Sequence, residues 1–334
     1  MSDQSDVIVK IDDRVRLMSA VLAATEYPTQ AQKAKPHGTH AHARATRKFL
    51  KELSKQNAVE ATQKLIDQGT PLDALFALVM LMDWPNLTIP ALPPWAPHDY
   101  NAMLRDFYEI GELGEWWEKE KAVWDKTLHE AANVFQKAQF KEFFIPFLDK
   151  VDEQLIFMPN VSYPTDYDVG FHIRNDVVCI APPPLAWGDS PPWPYDERTM
   201  HAYSIRAAMY AFGRMLLDKY FKVHAKELDD VVKSTELPVG DQFKAQYPAW
   251  KGQFEALFLS AIVAMYLEAH IDEKEYKAYM LMQKKARGMD MLPGTVSVLR
   301  RYLQEVGKRK YNNLAEFLPF FPVQLRVAKK IVTF

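Results

Sequence analysis

The chain has 334 residues, 48% of them hydrophobic and 25% charged, and its 41 Lys and Arg against 43 Asp and Glu give a formal net charge of -2. That is ample material for a core, in one large domain or two intimate ones, and the mixed signs exclude a basic surface built to track nucleic-acid phosphates. One cysteine, Cys179 in the apolar run 177–180, excludes an internal disulfide and a thiolate zinc cluster and fits a buried structural thiol.

Residues 1–6 are polar and acidic, with no basic segment followed by a long apolar core, so no secretory signal is read and a cytoplasmic protein is expected. Residues 7–11 alternate as a short strand, and from Asp13 the spacing of Val15, Leu17, Met18, Val21 and Leu22 predicts an amphipathic helix. A polar, basic stretch over 29–47 follows. It carries His37, His40 and His42, residues of a type that binds zinc, copper or nickel, but their spacing of three and two suits no single helix face, and an exposed loop and helix start is expected. Helical patterns run over about 45–68 and 71–83, the second with Thr70 as N-cap and Pro71 at its first position. Trp84-Pro85 ends that helix, and Pro90, Pro93, Pro94 and Pro97 keep the chain extended to His98. Helices are predicted at 99–111, 113–121 and 123–148, with Trp116, Trp117 and Trp124 packed at a helix interface.

The texture changes after Lys150. Residues 154–158 and 169–173 read as short strands, and Arg174-Asn175 connects the second to another at 176–181, giving a small antiparallel sheet with a hairpin. The Pro-rich segment 182–194 reads as an ordered connection whose Trp187 and Trp193 pack onto the core. From 196 to 220, Met200, Tyr203, Ala207, Ala208, Ala211, Phe212, Met215 and Leu216 mark a long helix with His201 on its first or second turn. Further helices are predicted at 222–234, 240–269, 273–287, 294–307 and 313–331. The apolar runs 74–82 and 256–267 fall short of the roughly 20 residues of a membrane span, so no membrane association is expected.

The segment His201-Ala202-Tyr203-Ser204-Ile205 sits where a zinc hydrolase would carry HExxH, whose histidines at i and i+4 bind the metal while the glutamate takes a proton from bound water. Only His201 fits. Order and residues together resemble an uncharacterised bacterial family of gluzincin-like metallopeptidases, a domain of unknown function in which a small sheet leads into a helix bearing an HEFSH-type motif. The resemblance rests on 9–19 with Glu26-Tyr27, on 104–108, on the strands at 154–181, and on Trp250, Leu299, Tyr302, Arg309, Tyr311, Phe317 and Pro319. It implies a zincin-like α+β fold, predominantly helical, as a single unit over 1–334 with a helical part at 1–150 and the sheet, motif helix and later helices at 151–334. His201 matches the first histidine, Ala202 replaces the glutamate, Ile205 replaces the second histidine, and counting from Trp250 puts Ala256 at the third ligand. Glu255 is the neighbouring carboxylate, pointing about 100 degrees away on a helix.

Other chemistry is sparse. Glu197 lies one turn before His201, either as an acid in the first turn paired with that histidine or as a recruited ligand. His98, His129, His172, His224 and His270 lack evident partners, Ser204 is on a helix rather than a GxSxG elbow, and neither GxGxxG nor GxxxxGK[ST] occurs. The expectation is a catalytically inactive pseudo-metallopeptidase without metal or cofactor, with a binding or regulatory role toward a peptide, a small hydrophobic ligand or a protein partner, and no nucleic-acid role. The alternatives are a hydrolase rearranged around His201 with Glu197 or Glu255, and a structural or assembly protein.

Overall fold

The computed structural model describes residues 5–186, 188 and 190–332. Strand β1 (Val7–Val9) is followed by α1 (Asp13–Ala24), which Asp12 caps by accepting from the Arg14 N–H at 3.0 Å. Next come α2 (Tyr27–Ala34), with a proline in its first turn, and α3 (Ala41–Phe49), capped by the His40 imidazole. A 3-10 turn at Lys51–Leu53 leads to α4 (Asn57–Asp67), α5 (Leu72–Leu81), α6 (Tyr100–Ile110), α7 (Leu113–Lys119), α8 (Lys121–Phe135) and α9 (Phe140–Leu148). Strands β2 (Gln154–Pro159), β3 (Val169–Ile173) and β4 (Asp176–Ala181) precede a 3-10 turn at Arg198–Met200 and the long α10 (His201–Val223). The chain then runs through α11 (Ala225–Ser234), α12 (Asp241–Gln246), α13 (Trp250–His270), α14 (Glu273–Arg287), α15 (Leu292–Gly307), α16 (Leu314–Phe317) and α17 (Phe321–Val332). Helix makes up 63% of the chain, so the α+β class is predominantly helical as read from the sequence.

Several boundaries differ for identifiable reasons. α2 occupies part of the stretch read as a polar connection. The 240–269 pattern divides because Pro248 disfavours helical geometry at Tyr247, and helix resumes at Trp250. Pro71, in extended geometry, stands at the N-cap of α5 in place of Thr70. The 123–148 pattern divides into α8 and α9.

The expected antiparallel sheet is corrected. Its four strands lie in the order β1-β2-β4-β3, with β1 parallel to β2 and β2 parallel to β4; only the hairpin pair β3–β4 is antiparallel. The register pairs Val7 with Leu155, Phe157 with Cys179 and Phe171 with Val178. Leu155 to Met158 and Val177 to Ile180 are buried without alternation, the signature of strands covered on both faces, as parallel strands usually are.

Two compact units divide the chain: Met1–Ala138 with Glu153–Ala211, and Gln139–Asp152 with Phe212–Phe334. In the first, α5 packs on β3 and α8 on β1 and β2, while α1 packs on α3, α4 and α5. Leu17, Met18, Val21, Leu75, Phe76, Val79, Ile156, Met158 and Val178 fill one continuous core. Arg14 fastens the start of α1 to the end of α5, donating to the carbonyls of Met80 (3.0 Å) and Met82 (3.1 Å) that the helix leaves without partners. The expected packing of the tryptophans holds for Trp116, which stacks on Phe49 of α3 at 4.4 Å, and for Trp117 and Trp124, which are buried with the Arg16 guanidinium over their rings at 4.3 and 4.8 Å. Trp193 does not pack as expected, being 45% exposed; Trp187 lies outside the described residues, and the buried aromatic of that connection is Tyr195.

The second unit is built on aromatics. Trp250, Phe254 and Phe258 recur every four residues along α13 and stack at 5.4 and 5.5 Å, and Phe147 meets Phe258 at 5.7 Å and Tyr302 at 5.8 Å. Trp250, Leu299, Tyr302, Tyr311 and Phe317, which carry part of the family resemblance, are therefore core residues. α13 is longer than the apolar run within it. Among the described residues it is the single helix with the length and composition of a membrane span, and 78% of that window is buried inside the protein.

Candidate functional site

His201 is the first residue of α10, preceded by a tight turn, and its ring is half-buried. Its Nε2 lies 2.9 Å from the Asp196 carbonyl oxygen. A carbonyl only accepts, so this nitrogen carries the hydrogen and has no lone pair for a metal. Glu197 does not pair with His201 across the turn; its carboxylate accepts from the Thr199 hydroxyl at 3.4 Å. Ala202 is half-buried, and Ile205 is buried. Ser204 is buried, and its hydroxyl has no hydrogen-bond partner among the described residues, so nothing activates it as a nucleophile. The same stretch carries an ion pair instead: Arg206 lies over the Tyr203 ring at 4.8 Å and donates to Asp168 at 3.1 Å. Burial, and then the negative charge of Asp168, push the Tyr203 phenol well up.

Ala256 and Glu255 belong to the second unit, His201 to the first. Ala256 is buried on α13, and Glu255 lies half-buried with Asp218, Arg214 and Lys251 as its charged neighbours. Burial and Asp218 raise its carboxyl against the pull of the two cations. The zinc of the resembled family does not fit these residues: one imidazole nitrogen is committed to a backbone carbonyl, and Ala202, Ile205 and Ala256 offer no lone pair. Among the described residues, no group of three or more His, Cys, Asp or Glu side chains is placed to hold a metal ion.

The three histidines at 37–42 are not the exposed cluster expected. His37 is buried, bonded through Nδ1 to the Lys35 carbonyl (2.7 Å) and through Nε2 to the Thr165 hydroxyl (2.9 Å). His42 is buried against Glu120 at 2.9 Å and edge-on to Trp124 at 5.2 Å, while His40 Nδ1 accepts from the His42 N–H at 3.1 Å. Each has its own partner. Elsewhere, His224 lies tilted against Tyr220 (4.4 Å) and faces Asp149, and His270 stacks on Tyr266 (4.3 Å).

Sequence reasoning missed a cavity of about 590 Å³ in the first unit, lined by the end of α1, the Thr25-Glu26 turn, Gln32, Thr39, Ser54, Tyr163 and four cations, Arg44, Arg47, Lys48 and Lys51. The four recur at i, i+3, i+4 and i+7, one face of α3 and the turn that continues it, while His42, Ala43, Thr46 and Leu50 bury the other face. That spacing was the available signal. Arg47 donates to the Thr29 hydroxyl at 2.6 Å and to the buried Tyr163 hydroxyl, and Arg44 donates to the Thr39 carbonyl. Burial raises the Tyr163 phenol, while Arg47 and Arg44 draw it back down. A second cavity of about 320 Å³ shares Ala24, Thr25, Glu26 and Ser54 with the first and adds Glu60, Gln63, Lys64 and Asp67.

Comparison of the chain with protein-family models, curated proteins and solved structures gives no match.

Proposed function

We propose that this protein works by binding rather than by hydrolysis, as a degenerate relative of zincin metallopeptidases with a regulatory or ligand-carrying role. The observation that carries the reading is the hydrogen bond from His201 Nε2 to the Asp196 carbonyl at 2.9 Å, which leaves Nδ1 as the single lone pair on the one motif histidine the sequence retains, short of the three protein ligands a catalytic zinc needs. Ala202 has no acceptor for the proton of a metal-bound water, and Ile205 has no donor atom, so the substitutions remove base and ligand together. The 590 Å³ cavity beside α3 supports a binding role, because it falls in the size range of small-molecule sites and gathers several polar groups.

The test is elemental analysis of protein purified without chelator, together with a peptidase assay with and without chelator. Zinc well below about one tenth of an equivalent and no chelator-sensitive turnover are expected. Stoichiometric zinc with hydrolysis abolished in His201→Ala would instead establish an active site rearranged around that histidine.

A further inference from the structure

We propose that the cavity beside α3 binds the phosphate group of a small phosphorylated, hydroxyl-bearing molecule of the sugar-phosphate class. The inference rests on the reading of the chain as a binding protein and names its ligand.

Four cations line the cavity against one carboxylate, Glu26, in a chain whose formal net charge is -2, so the positive excess is local. Arg14, Arg16 and Arg206 of the same unit each have a carboxylate partner. Arg44, Arg47, Lys48 and Lys51 have no ion pair among the described residues; the two arginines are held by a carbonyl and by hydroxyls, all neutral. Like charges gathered around a cavity repel, and an anion placed among them converts repulsion into attraction. Arginine suits phosphate because its planar fork donates two parallel hydrogen bonds to two oxygens, and the anchoring of Arg47 on Thr29 and Tyr163 fixes that fork before the ligand arrives.

The neighbouring cavity has the opposite charge balance. It carries Glu26, Glu60 and Asp67 against Lys64, so its acidic lining supplies acceptors for hydroxyl donors and repels further phosphate. A nucleic acid presents another phosphate every few ångströms and would meet those carboxylates; a molecule with one phosphate and a hydroxylated body matches both cavities. The volume of about 590 Å³ holds a ligand of that size.

The test is calorimetry and thermal melting of the full chain with ribose 5-phosphate, inorganic phosphate, ribose and a DNA duplex, in chloride buffer of physiological ionic strength. Ribose 5-phosphate is expected to bind saturably and raise the melting temperature, inorganic phosphate more weakly, and ribose not at all at up to about 10 mM. Lys48→Gln with Lys51→Gln, both exposed and without side-chain hydrogen bonds among the described residues, should weaken ribose 5-phosphate by more than about tenfold without lowering the unliganded melting temperature, and Arg47→Gln should weaken it further. The control Arg300→Gln, in the second unit, should bind as the parent does. No saturable binding, equal binding by the lysine variant and the parent, or tighter binding of the duplex than of ribose 5-phosphate would each overturn the proposal. Peptidase activity alongside ribose 5-phosphate binding that responds to these variants would defeat the hydrolysis-free reading and leave this one standing.

Discussion

His40 shows how much a single position can do in this chain. Its Nδ1 must stay unprotonated to accept from the His42 N–H and cap α3, and burial, then the cationic His42, Arg44 and Lys126, lowers its pKa from 6.5 to about 4. Between those values an unfolded chain takes up a proton that the folded chain refuses, so stability is unaffected above about pH 6.5 and falls as the pH drops toward 4. The shift corresponds to at most about 3 kcal/mol, reduced by solvent screening at this half-buried ring to about 2 kcal/mol. His40→Asn keeps an N-cap acceptor and removes the titration. Its urea midpoint should match the parent at pH 7 and exceed it at pH 4.5, and parallel pH profiles would show that His40 does not set the acid slope. His201 is the complementary case: its place at the head of a helix was legible from the periodicity, but the use of Nε2 depends on a backbone carbonyl that residue types do not reveal.

Among the elements, long apolar helices were legible because their spacing is local information, whereas strand direction was not. The β3–β4 hairpin followed from its two-residue connection, but β1 pairs with β2 across most of the first unit's sequence, and only the unbroken apolar runs of β2 and β4 signalled parallel pairing. α3 was partly legible: its polarity was evident, and the alignment of Arg44, Arg47, Lys48 and Lys51 on one face was the detail that defined a cavity wall. Packing between helices decides the sign of otherwise identical substitutions. A Cβ at Gly213 of α10 would lie 2.7 Å from Leu259 and 3.2 Å from Phe144, both fully buried, whereas one at Gly252 of α13 meets nothing closer than 3.9 Å. Alanine gains up to about 1 kcal/mol over glycine in a helix, while overpacking a filled core costs about 1–3 kcal/mol. Gly213→Ala is therefore expected to destabilise by about 1 kcal/mol and Gly252→Ala to stabilise by about 0.5 kcal/mol, measured by urea unfolding. A stabilised Gly213→Ala would mean that Leu259 and Phe144 yield without cost.

At the scale of the whole molecule, the chain leaves its first unit at Gln139, contributes 139–152 to the second, and returns at Glu153. Nothing in the periodicity of α9 separates it from the helices before it; its partners lie far along the sequence, as in the hydrogen bond from the Tyr302 hydroxyl to the Pro146 carbonyl, 156 residues apart at 3.0 Å. Phe140 meets Phe212 and Tyr266 at 6.2 and 5.0 Å, and Phe147 meets Phe258 and Tyr302, so α9 draws its burial from helices encoded after Ala211. The core cluster of the first unit that joins α1, α4, α5, α6 and one face of the sheet is formed by residues of that unit. A fragment of residues 1–211 should consequently fold its sheet and helices yet expose Phe140, Phe144 and Phe147, each with roughly 150–250 Å² of aromatic side chain, and self-associate. Replacing 139–152 by a Gly-Ser segment of equal length removes those rings while leaving the loop to be closed unchanged in length, so the closure term is little altered. The replaced fragment is expected to be monomeric by light scattering, to melt cooperatively by circular dichroism, and to keep the α3 cavity, whose lining lies wholly within the first unit. A monomeric but unfolded fragment would show that this core is insufficient without the second unit, and an aggregating one would place the exposed apolar surface elsewhere than on α9.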